Sequence, residues 1–164
     1  MTPRRDSTKR VLEVGICGYR DIPNNVVGAS LFVWRDFFPN ATVYGIDNDG
    51  RFIFNDQPRI KTARADAYNY GELMGALDDM GITPGNYFDF IVDDAVHDPG
   101  PQLRLLHYLW PYLAHGGVYA MEDVCPYKLI DCDLLHMTDQ FPPFAKTEVI
   151  TTHKAERLLL IHKD

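Results

Sequence analysis

Two short acidic motifs carry the side chains of this sequence that are best suited to metal chemistry. The first is Asp-Asp-Ala-Val-His from Asp93 to His97, and the second is the pair Glu122-Asp123. Each follows a short apolar run that predicts a strand, so we expect both at strand ends. Four carboxylates that lie close together are costly unless a cation compensates them. Asp94, Glu122 and Asp123 offer the hard oxygen ligands that Mg²⁺ prefers, and we predict a magnesium site there; the alternative is that they are solvated strand-end residues.

A histidine completes the first motif. His97 follows Asp94 by three positions, which places it within reach of a substrate held by a metal ion there. Its ordinary pKa of about 6.5 suits a general base at neutral pH. An isolated histidine is more often structural, but beside a carboxylate cluster we assign His97 a catalytic role.

A glycine-containing loop after the first predicted strand suggests a nucleotide. The pattern Glu13-x-Gly15-x-x-Gly18 removes side chains where a backbone must approach a ligand closely. Asp47 ends the second predicted strand, where an acidic residue can accept both hydroxyls of a ribose. Asp66 follows the third strand and is placed to reach an adenine amino group. The third glycine of the dinucleotide pattern is absent from its usual place, so an ordinary loop remains the alternative for residues 13–18. For Asp66 the alternative is a solvated aspartate in a loop.

Strand and helix candidates alternate along the chain. The predicted strands are 11–14, 42–46, 59–63, 88–92, 118–121, 148–152 and 157–162, and the predicted helices are 30–38, 72–80, 102–113 and 131–140. Gly116-Gly117 is predicted to close the third helix. The connection between the last two strands is too short for a parallel crossover, so they must be antiparallel.

This alternation predicts an α/β fold with an open, mostly parallel sheet and an antiparallel pair at its C-terminal end. In such sheets the ligand lies beyond the carboxyl ends of the strands. Polar clusters follow five predicted strands at that edge, namely residues 15–20, 47–49, 66, 93–94 and 122–123. Packing alone does not account for such a distribution, so we expect one binding site there.

Composition excludes several classes of function. The 164 residues include 23 acidic and 16 basic side chains, a net charge of −7, which argues against binding to a nucleic-acid backbone. No apolar run approaches the ~20 residues of a membrane span, and no signal peptide is apparent. Three cysteines without zinc spacing suit a reducing cytoplasm. We expect one domain over residues 1–164, frayed over 1–9, with a cytoplasmic location.

Several motifs together resemble a known family. Residues 13–19, 28–31, Trp34, 38–39 and 44–47 look like the corresponding motifs of class I S-adenosylmethionine-dependent methyltransferases. The resemblance is closer to the macrolide-sugar O-methyltransferases of the macrocin and mycinamicin type. These have a similar Asp-Asp-small-small-His motif, matched by residues 93–97, and a Gly-Gly-x-Tyr-x-x-Glu-Asp motif, matched by residues 116–123. Val96 departs from the small polar residue usual before the histidine.

The resemblance implies a Rossmann-like, seven-stranded methyltransferase sheet that binds S-adenosylmethionine. It also implies Asp94, Glu122 and Asp123 as Mg²⁺ ligands and His97 as the base. The residues assigned to cofactor binding are Glu13, Gly15, Gly18, Tyr19, Ser30, Asp47, Asp66, Ala67 and Asp93.

The implied activity is Mg²⁺-dependent methyl transfer to a hydroxyl of a small molecule such as a sugar or glycosylated metabolite. We expect no nucleic-acid or membrane partner and allow for a homo-oligomer. Two alternatives stay open. One is a metal-independent methyltransferase that acts on another acceptor, and the other is a non-catalytic module that only binds the cofactor.

Overall fold

The computed structural model describes residues 5–17, 26–83, 85–124, 138–143, 145–151 and 157–164. Within these residues the strands are β1 (Arg10–Val14), β2 (Thr42–Asp47), β3 (Ile60–Arg64), β4 (Phe88–Asp93), β5 (Leu113–Met121), β6 (Ala145–Thr151) and β7 (Arg157–Lys163). The helices are α1 (Ala29–Phe37), α2 (Tyr70–Asp79) and α3 (Pro99–Leu109), with short 3-10 turns at Gly50–Phe52, Trp110–Tyr112 and Thr138–Gln140. None of the described helices is long and apolar enough to cross a membrane.

The strands form one seven-stranded sheet in the order β3-β2-β1-β4-β5-β7-β6. Strands β1 to β5 are parallel, whereas β7 is antiparallel to both β5 and β6. The predicted α/β class, the mostly parallel sheet and the antiparallel C-terminal pair are therefore confirmed. The chain reverses its direction of winding between β1 and β4, which is where a sheet of this kind opens a ligand crevice.

Both faces of the sheet are covered because its central strands are apolar on both sides. Val11, on β1, packs with Leu31 and Phe38 from the α1 region. The next residue, Leu12, faces the opposite side and packs with residues of α2 and α3, among them Leu106. Each such side chain contributes about 1.5–3 kcal/mol relative to an exposed one. The buried strands hold their carboxyl ends in fixed register, as in the pairing of Asp93 with Met121.

Capping residues set where two helices begin. Asn69 accepts hydrogen bonds from the amides of Gly71 and Glu72, so α2 begins earlier than predicted. Asp98 caps α3 through the amide of Gly100. A proline in the first turn is tolerated because its missing amide donor would have no partner there.

The region between α3 and β5 differs from the prediction. The predicted helix over 102–113 gives way to a 3-10 turn at Trp110, because Pro111 cannot donate a helical hydrogen bond and its ring opposes continuation. Gly116 and Gly117 lie inside β5 and do not close a helix. Gly116 adopts a φ of 75°, and the pairing of β4 with β5 shifts register between Phe88 and Phe90. The glycines therefore accommodate an irregularity in the strand. Most of the predicted helix over 131–140 lies outside the described residues.

Candidate active site

The turn after β1 packs directly against the turn after β4. Gly15 adopts a φ of 92°, and a Cβ at this position would lie 2.3 Å from the carbonyl oxygen of Asp94. Its amide donates to the carbonyl of Ile46 at 2.9 Å. Both the backbone conformation and the close approach therefore require glycine. Gly18 and Tyr19, also predicted to bind a cofactor, lie outside the described residues.

Asp47 joins two loops at the end of β2. One carboxylate oxygen accepts the amide of Ile16 at 2.9 Å, and the other accepts the amide of Asp49 at 2.9 Å. The residue is partly exposed, and it lines a cavity beyond the strand ends. Asp47 can therefore accept hydrogen bonds from a ligand while it holds the loops around that ligand.

The cavity has a volume of about 320 Å³ and lies where the carboxyl ends of β1, β2, β3 and β4 meet. This volume falls at the lower end of the range for small-molecule sites. Four residues predicted to bind a cofactor line it, namely Gly15, Asp47, Asp66 and Ala67. Phe52, which is 8% exposed, also lines it.

Glu13 and Ser30, two further predicted cofactor residues, bond to each other and do not line the cavity. Glu13 is 1% exposed and also accepts a hydrogen bond from the indole of Trp34. Burial raises the pKa of Glu13 to about 7, more than the bonds from Ser30 and Trp34 lower it. In this structure the carboxyl group joins β1 to α1. Direct contact of Glu13 or Ser30 with a cofactor stays a prediction.

Asp93 is likewise a buried polar residue outside the lining of the cavity. One oxygen lies 3.3 Å from the hydroxyl of Tyr119, and the other lies 3.5 Å from the amide of Ala95. Burial raises the pKa of Asp93 to about 7. Asp93 thus faces the protein interior, and its predicted contact with a cofactor stays untested.

Beyond β4 and β5, two aspartates and a histidine come together. His97 Nε2 lies 3.2 Å from Asp94 Oδ1, and its Nδ1 lies 3.6 Å from Asp123 Oδ2. One ligand atom from each of these residues lies within 4.8 Å of the others, a spacing that could surround one metal ion. The three side chains are between 31% and 41% exposed, so the cluster is open to solvent. The hydrogen bond to Asp94 raises the pKa of His97 against the opposing effect of burial.

Glu122, the third predicted metal ligand, lies beside this cluster. Its pKa is raised to about 7, first by burial and then by the charges of Asp94 and Asp123. Mutual repulsion among these carboxylates is the condition that a divalent cation relieves, and the donors are oxygens of the type Mg²⁺ takes. The residues present therefore fit the predicted ion. The close group in this structure is nevertheless Asp94, His97 and Asp123, with Glu122 beside it.

Backbone contacts hold the turn after β5 in place. The amide of Glu122 donates to the carbonyl of Asp93 at 2.9 Å, and Gln102 Nε2 donates to the carbonyl of Glu122 at 3.0 Å. Asp123 then adopts a φ of 48°, which is uncommon for a residue with a side chain. Such strained residues persist where the surrounding structure fixes them, and here the strain lies within the acidic cluster.

No family model matches the chain, but curated relatives do. It is 32% identical over 126 residues to the 8-demethyl-8-(2-methoxy-alpha-L-rhamnosyl)-tetracenomycin-C 3'-O-methyltransferase of Streptomyces olivaceus, covering 74% of this chain and 30% of the relative. It is 34% identical over 121 residues to the mycinamicin VI 2''-O-methyltransferase of Micromonospora griseorubida, covering 73% and 28%. The chain therefore spans less than a third of the length of these relatives.

Among solved structures, the fold matches the MycE methyltransferase of the mycinamicin biosynthetic pathway, in a complex with Mg, S-adenosylhomocysteine and mycinamicin VI. The TM-score is 0.69 at 23% identity, over 97% of this chain and 45% of that one. This chain has the methyltransferase fold. The resemblance to macrolide-sugar O-methyltransferases that the motifs indicate is confirmed by the curated relatives.

Tyr68 is one of the residues lining the cavity that sequence reasoning did not predict as a site residue. It lines the cavity, and its hydroxyl accepts the amide of Val96 at 3.0 Å. Tyr68 follows Asp66 by two residues in the loop after the third strand. That position was the signal in the sequence that could have assigned Tyr68 to the site. A tyrosine there is equally compatible with packing, and the contact spans 28 residues of sequence.

We predict that Glu13→Gln makes the stability of the protein less dependent on pH. The unfolded chain releases the Glu13 proton near the ordinary pKa of 4.5, whereas the folded chain keeps it to about pH 7. Glu13 therefore lowers stability progressively as the pH rises between these values, by on the order of 3 kcal/mol in full. A glutamine can accept from Trp34 and donate to Ser30, so both partners are retained.

Urea unfolding of both proteins at pH 5 and pH 8 measures this effect. The free energy of unfolding of Glu13→Gln, relative to wild type, should be higher at pH 8 than at pH 5. An equal difference at the two pH values would show that Glu13 ionises normally in the fold.

Proposed function

We propose that this chain is an S-adenosylmethionine-dependent and Mg²⁺-dependent O-methyltransferase that acts on a hydroxyl of a sugar or a similar glycosylated small molecule. The observation that supports the proposal most strongly is that the cavity and the acidic cluster share one residue, Asp94. Asp94, which bonds to His97, also lines the cavity beside Gly15 and Asp47. A ligand in the cavity and a hydroxyl at the cluster would therefore be neighbours.

The cavity suits the nucleoside part of S-adenosylmethionine. Asp47 offers carboxylate oxygens to ribose hydroxyls, and Asp66 on the adjacent loop offers one to an adenine amino group. Gly15 keeps the space beside Asp94 free of a side chain. When bound, this cofactor supplies a methyl group on a positively charged sulfur. The names of the curated relatives, which are sugar O-methyltransferases, support the same assignment.

The acidic cluster suits a hydroxyl acceptor. Asp94, Glu122 and Asp123 would hold Mg²⁺, which supplies charge stabilisation to a developing alkoxide. A solved relative of this fold contains Mg and S-adenosylhomocysteine together, which supports the pairing of ion and cofactor.

His97 is the proposed base. Its bond to Asp94 through Nε2 is the shorter contact, at 3.2 Å, while Nδ1 lies 3.6 Å from Asp123, beyond hydrogen-bond distance. Asp94 therefore favours the tautomer with its proton on Nε2, which leaves the lone pair on Nδ1 to accept the proton of the acceptor hydroxyl. When bound, S-adenosylmethionine would supply the methyl group to the hydroxyl oxygen, and its sulfur would leave with the electron pair of the carbon–sulfur bond. The chain contributes alignment and a proton acceptor.

Calorimetry with S-adenosylhomocysteine, in the presence of Mg²⁺ and then of a chelator, tests the proposal at once. We expect saturable cofactor binding and a separate metal-binding heat. Cofactor binding without metal binding would favour a metal-independent methyltransferase or a non-catalytic module. Methyl transfer to members of a library of glycosylated metabolites then identifies the acceptor.

Asp47→Ala should weaken the binding of S-adenosylhomocysteine by roughly tenfold to a hundredfold. The reason is the loss of a charge-assisted hydrogen bond worth about 1.5–3 kcal/mol. Asp56→Ala, in an exposed loop, is the matched control and should bind normally. Wild-type affinity in a folded Asp47→Ala protein would remove Asp47 from the binding site.

Asp94→Asn and Glu122→Gln should each abolish Mg²⁺-dependent methyl transfer while cofactor affinity stays nearly unchanged. Both changes remove a metal ligand, and because asparagine keeps the shape of Asp94 at the wall of the cavity, the nucleoside contacts proposed for Asp47 and Asp66 remain. Turnover is measured with excess Mg²⁺ and with excess chelator, and Asp79→Asn on the exposed surface of α2 serves as the control. Full turnover of either variant in chelator would refute the metal assignment.

His97→Ala should lower kcat by about 10²- to 10⁴-fold, the usual contribution of a positioned base. Cofactor affinity should stay unchanged, because the imidazole does not line the cavity. His107→Ala, at an exposed position of α3, is the control. If His97→Ala melts at a much lower temperature but keeps its turnover per folded molecule, the histidine serves packing alone.

A further inference from the structure

The turn that carries Asp94 and His97 is held largely by side chains. The sheet fixes only its first residue, because the amide of Asp94 donates to the carbonyl of Val14 at 2.9 Å. The next two amides face side chains: that of Ala95 faces the carboxylate of Asp93, and that of Val96 donates to the hydroxyl of a tyrosine. The position of the turn beyond the strand therefore depends on which side chains accept these amides.

Tyr68 supplies one of these acceptors from a different loop. It lies between β3 and α2, and its hydroxyl oxygen is 3.0 Å from the amide of Val96. Burial and the nearby charge of Asp93 raise the pKa of Tyr68 to about 12, so the hydroxyl stays neutral. A phenylalanine would cover the same surface but offer no acceptor, and the hydroxyl thus has a purpose beyond packing.

Tyr119 acts on the same turn from the neighbouring strand. On β5 it is the partner of Ile91, which places it on the same face of the sheet as Asp93, two residues further along β4. Its side chain is fully buried, and its hydroxyl is 3.3 Å from the Asp93 oxygen that does not face Ala95. Tyr119 thereby fixes the orientation of the carboxylate that faces the amide of Ala95.

We propose that Tyr68 and Tyr119 are positioning residues whose hydroxyls fix residues 94–97 in the geometry that a metal ion and a substrate hydroxyl require. Tyr68 acts through the amide of Val96, and Tyr119 acts through Asp93. Neither has a described hydrogen bond to Asp94 or to His97. Partners of this indirect kind hold metal ligands in place, and their loss weakens metal sites without removing a ligand. The inference rests on the metal site of the proposed function.

Two conservative variants isolate the hydroxyls. Tyr68→Phe and Tyr119→Phe each remove one oxygen and keep the ring. Tyr44→Phe is the matched control, since Tyr44 is also buried in the core but lies on β2, where it packs against Phe88.

Hydrogen exchange and metal titration test the proposal without a measurement of enzymatic activity. We expect backbone hydrogen exchange to become at least about tenfold faster, at Val96 in Tyr68→Phe and at Ala95 in Tyr119→Phe. Titration with Mn²⁺, the probe ion, should give a Kd raised by about 10- to 100-fold in both. Tyr44→Phe should stay within about threefold of the wild-type Kd. S-adenosylhomocysteine affinity should change by less than about threefold in Tyr119→Phe and Tyr44→Phe, since neither tyrosine lines the cavity.

Other outcomes overturn the inference in distinguishable ways. Wild-type Mn²⁺ affinity in both tyrosine variants, even with a lower melting temperature, would show that the hydroxyls serve packing only. Absence of Mn²⁺ binding to the wild-type protein would instead refute the metal site itself, and this inference with it. Tyr68 is only partly buried, so Tyr68→Phe should fold and provide a decisive result even if Tyr119→Phe does not.

Discussion

The turn after β1 passes so close to the turn after β4 that only a glycine fits between them. A Cβ on Gly15 would overlap the carbonyl of Asp94. This contact makes the nucleoside-sized cavity and the acidic cluster continuous, because Asp94 is part of both. A side chain at position 15 would force the two turns apart and separate a ligand in the cavity from the cluster. The proposed reaction depends on that proximity more than on any single polar residue.

Carboxyl groups whose pKa is raised by burial are the main electrostatic feature of this edge of the sheet. Glu13, Asp93 and Glu122 all have a pKa raised to about 7, and burial is the largest cause for each. Their protein partners differ. Glu13 and Asp93 bond to hydroxyl, indole or amide groups inside the protein, whereas Glu122 faces the charges of Asp94 and Asp123. The first two carboxyls are thus satisfied within the fold, and the crowding around Glu122 is what the proposed cation would relieve.

Sequence reasoning succeeded where position along a strand determines position in space. Alternating apolar runs predict the parallel sheet, and the residue that follows each run must then lie at the ligand edge, as Asp47, Asp94 and Glu122 do. It failed where backbone geometry overrides composition. Gly116 and Gly117 look like a helix terminator in sequence, yet they accommodate a register shift inside β5.

The finer structure of the site depends on tertiary contacts that no local pattern reveals. The positive φ of Asp123 and the approach of His97 to it could not be predicted from the spacing of the motifs. Glu13 and Ser30 satisfy each other, although both are assigned to the cofactor by resemblance. The bond from Val96 to Tyr68 joins two loops far apart in sequence, and it becomes visible only once β3 and β4 are in place.

The acidic cluster is more exposed than the carboxyl groups packed behind it, and this difference has a consequence for the proposed acceptor. Asp93 and Glu13 are buried, while the side chains of Asp94, His97 and Asp123 are between 31% and 41% exposed. A fully enclosed cluster would admit only ligands small enough to be surrounded, but a partly exposed one can be reached by a single hydroxyl that projects from a large molecule. In the proposed reaction, the cluster would therefore select only for the hydroxyl, and the remainder of the acceptor would be recognised by surfaces around the cluster.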